Sequence, residues 1–260
     1  MGLEVGTAVG SDDGAKVGAI ASKEHPKRID ETARYLSQAV SFLDTDPPCL
    51  IAVGGTLATA CLALQRGLAC HLAGGNHHAH PDFGSGFCIF NDLAVGSIYA
   101  LNKGFFKKIA IIDLDVHKGD GTAEICSKFD KIITYSVHSE KNMAFGKKPS
   151  NFDLSLPSNV TQDEYIGTVL NILDSLDEDI ELILYNAGAD CYKNDLIGKM
   201  NLEKRTLKKR DQVVYDFCFS TSKNIITVLG GGYAKNIKDT VDIYYNTFTE
   251  SFNLWKKYRG

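Results

Sequence analysis

Short apolar runs recur along this chain and are separated by longer segments whose apolar positions repeat with a helical period. The runs are rich in β-branched residues and show little alternation with polar residues, which is typical of strands buried on both faces of a parallel sheet. They occupy residues 68–72, 109–112, 132–136, 182–185 and 225–229. We predict that each run forms such a strand.

The segments between the runs carry apolar residues three and four positions apart, the spacing of one face of an α-helix. Predicted helices cover residues 28–43, 55–66, 92–102, 162–176 and 237–254. Thr161 is predicted to cap the fourth of them. Strands that alternate with helices in this way predict an α/β fold, with a single open parallel β-sheet flanked by helices on both faces.

The 260 residues, of which 44% are hydrophobic and 23% charged, suffice for one substantial core. Two domains would also fit this length, but no Pro/Ser-rich linker or charge run divides the chain. We expect one α/β domain over residues 50–260. Residues 1–49 are predicted to form an atypical, partly disordered N-terminal segment with one helix, because residues 1–16 are rich in Gly and poor in large apolar side chains.

The formal net charge of −4 and the lack of a long basic run argue against direct binding of nucleic acid. The locally basic stretch 203–210 is predicted to be the solvated face of a helix whose apolar side chains point inward. Those side chains are Leu202, Val213, Val214 and Phe217. No apolar stretch has the length of a membrane span. Seven cysteines without a Cys-x-x-Cys motif, and no signal peptide, predict a cytoplasmic protein, or a nuclear one in a eukaryote.

The run at residues 109–112 leads directly into Asp113, Asp115 and His117. Alternate side chains of an extended segment project to the same side, so these three would lie together at the carboxyl end of the strand. Open α/β sheets keep their sites at that edge. Asp115 and His117 can supply an oxygen and a nitrogen ligand to one divalent metal ion, although acidic strand ends are also common without a metal.

Two further segments carry candidate chemistry. Residues 74–92 place three histidines between glycines and phenylalanines, and the adjacent pair His77-His78 suits a core poorly because buried imidazoles need partners. A solvated polar loop is the alternative interpretation. Residues 182–190 form another buried strand that ends in Asp190, for which an ordinary cap or turn is the alternative.

Together these segments resemble the histone deacetylase family of the arginase–deacetylase superfamily, from about Leu50 to the C-terminal helix. Four blocks in order carry the resemblance: the His-His loop, Asp-Leu-Asp-Val-His-Lys-Gly-Asp-Gly at 113–121, Asn-Ala-Gly-Ala-Asp at 186–190 and Leu-Gly-Gly-Gly-Tyr at 229–233. Residues 52–56 and 148–153 look most like the class IV-like branch of that family. Relative to family members the N-terminal segment is short.

The resemblance implies that Asp115, His117 and Asp190 ligate zinc and leave one position open for water and substrate. Ferrous iron suits the same oxygen and nitrogen ligands. It also implies that Asp113 and Asp120 orient the paired histidines through their other ring nitrogens.

The resemblance assigns general base catalysis to His78, electrostatic support to His77, and hydrogen bonding of the developing oxyanion to Tyr233. Gly86 and Phe87 match one wall of the tunnel that holds the acyl-lysine stem, and Phe145 matches the other wall. Simple core packing is the alternative for Phe87.

Asp113 and Ser136 match positions around an internal potassium site of the family. Lys118 departs from the family pattern, since His or Gln usually follows the ligand histidine. A cation there could disfavour a protonated histidine.

The implied activity is zinc-dependent removal of acyl groups from lysine side chains or from small acylated amines. The arginases of the same superfamily need two metal ions and a denser ligand set. The alternative is a catalytically inactive acyl-lysine or metal-binding protein, a truncated family member.

Overall fold

The computed structural model describes residues 47–142 and 148–259. Within these ranges helices and strands alternate along the chain. The helices are α1 (Pro47–Arg66), α2 (Asp92–Asn102), α3 (Asp120–Cys126), α4 (Gln162–Asp174), α5 (Lys204–Ser220) and α6 (Ile237–Arg259). The strands are β1 (Leu68–Cys70), β2 (Ile109–Asp113), β3 (Ile132–Ser139), β4 (Phe152–Leu156), β5 (Leu182–Asn186) and β6 (Asn224–Val228).

The six described strands form one open, all-parallel sheet in the order β1-β6-β5-β2-β3-β4. Strand β2 lies inside the sheet, where Asp113 is in register with Ser136 of β3 on one side and with Asn186 of β5 on the other. Because all strands run the same way, the loops after β1, β6, β5 and β2 emerge side by side at one edge. The predicted α/β architecture is confirmed.

The core lies on both faces of the sheet, and β2 shows why its sequence has no polar alternation. Ile109 and Ile111 belong to an apolar cluster with residues of α1 and α2, whereas Ala110 and Ile112 belong to a second cluster with residues of α4, α5 and α6. Successive side chains of a strand point to opposite faces, so a strand covered on both sides needs an apolar residue at every position. The predicted arrangement of helices on both faces follows from this packing.

Helix boundaries agree with their sequence signals where those signals are local. Helix α2 has the predicted bounds, and α4 begins after Thr161, whose hydroxyl accepts from the backbone N–H of Glu164 in a capping box. Helix α1 begins at Pro47, eight residues before the predicted start. Proline is tolerated in the first turn because the N–H groups there lack helical partners. The predicted helix 28–43 lies outside the described residues, so the division between residues 1–49 and 50–260 stays a prediction.

Two elements were not predicted. Strand β4 is an edge strand whose polar residues, Asp153 and Ser155, interrupt its apolar ones, so no continuous run marks it. Helix α3 has only seven residues and begins at Asp120, within the block 113–121 that carries Asp115 and His117. Both depend on the neighbouring β3 more than on their own pattern, which single segments cannot reveal.

The basic stretch before and within α5 is only partly a solvated face. Arg205 is exposed, but the Arg210 side chain is fully buried, contrary to the prediction. Its guanidinium donates to backbone carbonyls and pairs with Asp211, which compensates for the loss of water. Over the described ranges, the helices lack the combination of length and apolar character that crossing a bilayer requires.

Candidate active site

The loops after β1, β2, β5 and β6 surround a cavity of about 400 Å³ that opens to the surface at the carboxyl edge of the sheet. This edge is where parallel sheets place their sites. The cavity wall includes most of the residues singled out from the sequence, namely His77, His78, Gly86, Phe87, Asp115, His117, Asp190 and Tyr233.

Asp115, His117 and Asp190 converge as a potential metal-binding group. Nδ1 of His117 lies 3.0 Å from Oδ1 of Asp115 and 3.1 Å from Oδ2 of Asp190, and one ligand atom from each residue lies within 4.8 Å of the others. The backbone N–H of Gly231 donates to Oδ2 of Asp115 at 2.7 Å, and that of Val116 donates to Oδ1 of Asp190 at 2.9 Å. Two carboxylates and one imidazole fit the ligand chemistry of a catalytic zinc or ferrous ion.

Asp115, His117 and Asp190 lie close enough together that the charge of each shifts the pKa of the others. Burial and the charge of Asp115 raise the pKa of Asp190 to about 7. Burial lowers the pKa of His117, but the hydrogen bonds to Asp115 and Asp190 and their charges outweigh it and raise that pKa to about 10. Burial works against ionisation of Asp115 too, yet His77 and His117 hold the pKa of this carboxyl below its usual range. A divalent cation would replace the protons in neutralising this cluster.

Asn142 contacts the other side of the His117 ring. Its Nδ2 lies 3.1 Å from Nε2 of His117, while its Oδ1 accepts from the backbone N–H of Lys199 at 2.7 Å. Nδ2 of Asn142 is a hydrogen-bond donor, so this contact does not supply the acceptor that Nε2 of a metal-bound or protonated histidine usually has. Asn142 was not predicted, because a single asparagine in a loop after β3 carries no signal of its own.

Each of the paired histidines is bound to its own carboxylate. Nδ1 of His77 lies 2.6 Å from Oδ2 of Asp113, and Nδ1 of His78 lies 2.7 Å from Oδ1 of Asp120. Asp113 is itself held, since its Oδ1 accepts from Nδ2 of Asn186 at 2.9 Å. His77 is therefore buried and not part of a solvated loop, whereas most of residues 81–90 are exposed, as the solvated-loop alternative expected.

The two histidines differ in charge although they are neighbours. Burial lowers the pKa of His77, but the charges of Asp113 and Asp115 and the hydrogen bond to Asp113 outweigh it and raise that pKa to about 9. Burial, followed by the charge of His77, lowers the pKa of His78 despite its bond to Asp120. His77 is therefore charged and His78 neutral at neutral pH. The pair offers one protonated and one unprotonated imidazole, the two forms that acid–base chemistry uses.

Asp92, at the start of α2, holds the backbone of the histidine loop (residues 74–92) at its first residues. Its Oδ1 accepts from the backbone N–H of Asn76 at 2.8 Å, and its Oδ2 accepts from the backbone N–H of Gly75 at 3.2 Å and from the Thr56 hydroxyl at 2.7 Å. A fully buried carboxylate with several donors is a rigid support. From the sequence Asp92 was predicted only as the start of α2, since its partners lie 16 to 36 positions away along the chain.

Tyr233 lies in the loop after β6, and a second loop holds its backbone. Oδ2 of Asp195 accepts from the backbone N–H of Tyr233 at 2.6 Å, and the Tyr233 carbonyl accepts from the N–H of Leu196 at 3.0 Å. Burial and the charges of Asp115 and Asp190 raise the pKa of the Tyr233 phenol to about 12. The phenol therefore remains a hydrogen-bond donor at neutral pH.

Gly231, two residues before Tyr233, must be a glycine because a Cβ there would collide with a carboxylate oxygen of Asp190.

The mouth of the cavity carries the predicted tunnel residues Gly86 and Phe87. Gly86 has a positive φ of 50°, and a Cβ there would collide with the ring of His78, so only glycine fits. The Phe87 side chain is 84% exposed, which rules out core packing, and its ring centroid lies 6.2 Å from that of Tyr233. Phe145, the other predicted wall, lies outside the described residues.

Arg210 connects the two loops that carry the potential metal ligands Asp115 and Asp190. Its Nη1 donates to the carbonyl oxygen of Gly188 at 2.7 Å and reaches that of Leu114 at 3.4 Å, while Nη2 donates to that of Ala187 at 3.1 Å. Leu114 precedes Asp115, and Gly188 lies two residues before Asp190. Helix periodicity gave no sign of this contact.

The predicted potassium residues Asp113 and Ser136 are neighbours on β2 and β3. The Ser136 hydroxyl lies 3.2 Å from Nδ1 of His138. Lys118 extends toward β4, where its Nζ lies 2.7 Å from Oδ2 of Asp153. The ammonium group is thereby neutralised by Asp153, and potassium binding nearby stays a prediction.

The chain is similar in sequence to one protein family and to several curated proteins. The family model for the histone deacetylase domain matches residues 17–247. An uncharacterized protein of Picosynechococcus is 43% identical over 194 residues, which cover 74% of this chain and 65% of that protein.

Two relatives carry functional names. Histone deacetylase 2 of Arabidopsis thaliana is 29% identical over 71% of this chain and 49% of its own length. The acetoin utilization protein AcuC of Staphylococcus aureus is 32% identical over 70% of this chain and 51% of its own length. The chain thus matches about half to two thirds of the length of these curated relatives.

Proposed function

The chain belongs to the histone deacetylase family, and from that premise we propose that it is a metal-dependent amidohydrolase. Its substrates would be acyl-lysine side chains of proteins or small acylated amines. The observation that carries the proposal is the convergence on one cavity of the Asp115–His117–Asp190 group and the two carboxylate-bound histidines. Such a combination serves hydrolysis of an unactivated amide.

Asp115, His117 and Asp190 would hold the metal ion. A divalent cation held there polarises an amide carbonyl and lowers the pKa of water. We propose zinc as the native ion, with Fe(II) as the alternative, because both accept two carboxylates and an imidazole. The donors from Gly231 and Val116 would fix the carboxylate orientations before the ion arrives.

His78 would be the general base. Its Nδ1 donates to Asp120, so the lone pair of the neutral ring lies on Nε2. The lowered pKa of His78 keeps that lone pair available at neutral pH. Nε2 can take the proton of the attacking water and then deliver it to the nitrogen of the leaving amine. His77, positively charged with a pKa of about 9, would stabilise negative charge that develops beside it.

Tyr233 would donate its phenolic hydrogen to the oxyanion. The phenol is protonated at neutral pH and lines the same cavity as the histidines. Hydrogen bonds aimed at developing charge stabilise a transition state more than the ground state. The hydrogen bond from the Tyr233 backbone N–H to Asp195, which we call the Asp195 clamp, would keep the phenol in place during the reaction.

The substrate stem would enter between exposed aromatic surfaces. Phe87 and Tyr233 face each other across the mouth, and Ile197 also lines the cavity. The four methylene groups of an acylated lysine are apolar and suit such a passage. Acylation removes the charge of the lysine nitrogen, which makes entry into an apolar passage favourable.

We further propose a reducing compartment, the cytoplasm. Cys70, Cys88, Cys126, Cys191 and Cys218 are free thiols, which supports this assignment. A potassium ion near Asp113 and Ser136 is also part of the proposal, with the register pairing of the two residues as its support.

The test is hydrolysis of acyl-lysine peptides and acetylpolyamines by the purified protein, first stripped of metal and then reloaded with zinc. We expect zinc-dependent release of the free amine. Asp115→Ala, which lacks a metal ligand, is the matched control and should stay inactive after loading. A folded, zinc-loaded protein that binds an acetyl-lysine peptide without hydrolysing it would contradict the enzyme and support the inactive binder.

A further inference from the structure

His80, the third histidine of the loop, has no part in the proposed reaction and is nevertheless fully embedded. Its side chain is 1% exposed, and its ring stacks on Phe83 with centroids 4.4 Å apart and an interplanar angle of 17°. A buried imidazole needs polar partners for both ring nitrogens, or its burial is costly. The identity of those partners indicates what His80 does.

Both ring nitrogens of His80 face carboxylates of helix α3. Nε2 lies 3.3 Å from Oδ2 of Asp120, and Nδ1 lies 2.7 Å from Oε2 of Glu124. The other oxygen of Asp120 lies 2.7 Å from Nδ1 of His78. A continuous chain of polar contacts therefore runs from His78 at the cavity through Asp120 and His80 to Glu124, whose side chain is 44% exposed.

Hydrogen bonds to the backbone of the histidine loop hold this row of polar contacts in place. Asp120 and Glu124 are four residues apart on α3 and so lie on the same helical face. The backbone N–H of Thr122 donates to the His77 carbonyl at 3.0 Å, which joins α3 to the histidine loop. Nδ2 of Asn91 donates to the Ala79 carbonyl at 3.1 Å, so the backbone beside His80 is also tied down.

We propose that His80 is a positioning residue for His78, an inference that rests on the proposed function. By occupying Oδ2 of Asp120, His80 holds the carboxylate with Oδ1 directed at Nδ1 of His78. That contact keeps the hydrogen of the neutral His78 ring on Nδ1 and the lone pair on Nε2, facing the cavity. Glu124 in turn fixes the orientation of the His80 ring from the surface.

A purely structural role makes a different prediction. If His80 only filled space against Phe83, any polar residue of similar size that preserved the fold would preserve the state of His78 as well. If His80 positions Asp120, the contact made by Nε2 is the one that matters. The amide nitrogen of glutamine overlaps Nε2 of histidine, whereas that of asparagine overlaps Nδ1. The variants His80→Gln and His80→Asn therefore separate the two contacts.

The first readout is the tautomer of His78, measured by nitrogen-15 NMR of histidine-labelled, metal-free protein. In the wild type we expect the Nδ1-protonated form. His80→Gln should retain it, and His80→Asn should give a mixture of tautomers. Glu124→Met, at a half-exposed position, should shift the tautomer in the same direction by a smaller amount. This readout does not require activity.

The second readout is turnover of an acetyl-lysine peptide by the zinc-loaded protein. His80→Asn should lower kcat by about 10- to 100-fold at unchanged zinc content and KM, as loss of such an outer contact does. His80→Gln should retain most of the activity. The control is Glu178→Gln, which lies between α4 and β5 at the opposite edge of the sheet.

An unchanged His78 tautomer in His80→Asn and Glu124→Met would overturn the inference, whether or not kcat falls. Equal loss of kcat in His80→Asn and His80→Gln with an unchanged tautomer would assign His80 a structural role. If the wild type hydrolysed nothing while the tautomer responded as expected, the proposed function would fail and the positioning by His80 would stand.

Discussion

Nη1 of Arg210 lies 2.7 Å from the carbonyl oxygen of Gly188, two residues before Asp190. The same guanidinium reaches the Leu114 carbonyl, directly before Asp115, so one buried cation joins the loops after β2 and β5. These contacts hold the peptide bond that joins Leu114 to Asp115 and the backbone two residues before Asp190. The geometry of the candidate metal group thus depends on a residue of α5 that never touches the cavity.

Replacement of Arg210 should therefore damage stability and metal binding together. We expect Arg210→Met to lower the free energy of unfolding by about 3–5 kcal/mol, because Asp211 would remain buried without its cation. Arg210→Lys keeps the charge but lacks the fork of donors. Zinc binding by this variant should therefore be weaker than that of the wild type, even though the charge is retained. Urea unfolding and zinc titration measure the two effects.

The matched control for Arg210 is Arg205→Met on the same helix, where the side chain is 80% exposed. It should change stability little, because exposed ion pairs contribute up to about 1 kcal/mol. Full stability and zinc affinity in Arg210→Lys would refute the role of the guanidinium.

Tyr233→Phe removes only the phenolic oxygen. We expect the variant to keep its fold and zinc content but to lose about 2–4 kcal/mol of transition-state stabilisation. That loss corresponds to a decrease in kcat of about 30- to 1,000-fold. Steady-state kinetics on an acetyl-lysine peptide provide the measurement, and Tyr245→Phe at an exposed position of α6 is the control. Normal turnover by Tyr233→Phe would exclude the oxyanion role.

Asp195→Ala tests whether the clamp on the Tyr233 backbone matters. Oδ2 of Asp195 accepts from Tyr233, and Oδ1 accepts from Ile197 and Gly198, so alanine removes all three contacts. We expect kcat to fall by about 10- to 100-fold through misplacement of the phenol, with zinc content unchanged. The exposed Asp174→Ala should behave like the wild type. If Asp195→Ala matched it in kcat, the clamp would have no catalytic consequence.

Asp190→Asn should weaken metal binding, because a neutral amide replaces an anionic ligand. The amide oxygen can still accept from the backbone N–H of Val116, so the loop should keep its conformation. Zinc content after dialysis against a weak chelator should be near zero, whereas the wild type retains about one ion per chain. Retention of a full equivalent of zinc by Asp190→Asn would remove this residue from the ligand set.

Stability should decline at alkaline pH, and buried thiols supply a defined part of the decline. Burial raises the pKa of Cys126 from its ordinary value of 9.0 to about 12. The unfolded chain releases this proton above pH 9, whereas the folded chain retains it until pH 12. The contribution is constant below pH 9, and between pH 9 and 12 the thiol removes about 1.4 kcal/mol of stability per pH unit.

Urea unfolding of Cys126→Ala and the wild type at pH 7, 9 and 11 isolates that contribution. The alanine variant should be less stable at pH 7, because it leaves a small cavity, but its stability should fall less steeply above pH 9. Parallel pH profiles for the two proteins would show that Cys126 does not titrate as expected.

The sequence predicted the fold through features that are local to the chain. The run Ile109–Ile112 is apolar at every position, and a strand covered by helices on both faces requires this pattern. The cap at Thr161 likewise needs only Glu164, three residues away. Strand β4 escaped prediction because an edge position permits polar residues, which erase the pattern.

For the candidate site, the sequence by itself determined which residue types stand at the strand ends, and with them the kinds of chemistry that can be proposed. Asp115, His117 and Asp190 follow apolar strands within two to four residues, and parallel strands bring their carboxyl ends to one edge. The catalytic roles of these residues and of His78 and Tyr233 remain predictions that the experiments above address.

Only the tertiary structure decided which groups support those residues. Arg210 reaches Gly188 across 22 positions, His80 reaches Glu124 across 44, and Asp195 reaches Tyr233 across 38. Arg210 lies on a helix and Asp195 in a loop whose own patterns are ordinary, so no local signal distinguishes either from a solvated side chain. His80 belongs to a histidine-rich loop that the sequence marks, but its partners are not evident from that loop. The physical reason is that periodicity reports which face of an element is buried, whereas hydrogen-bond partners are set by the order in which distant elements pack.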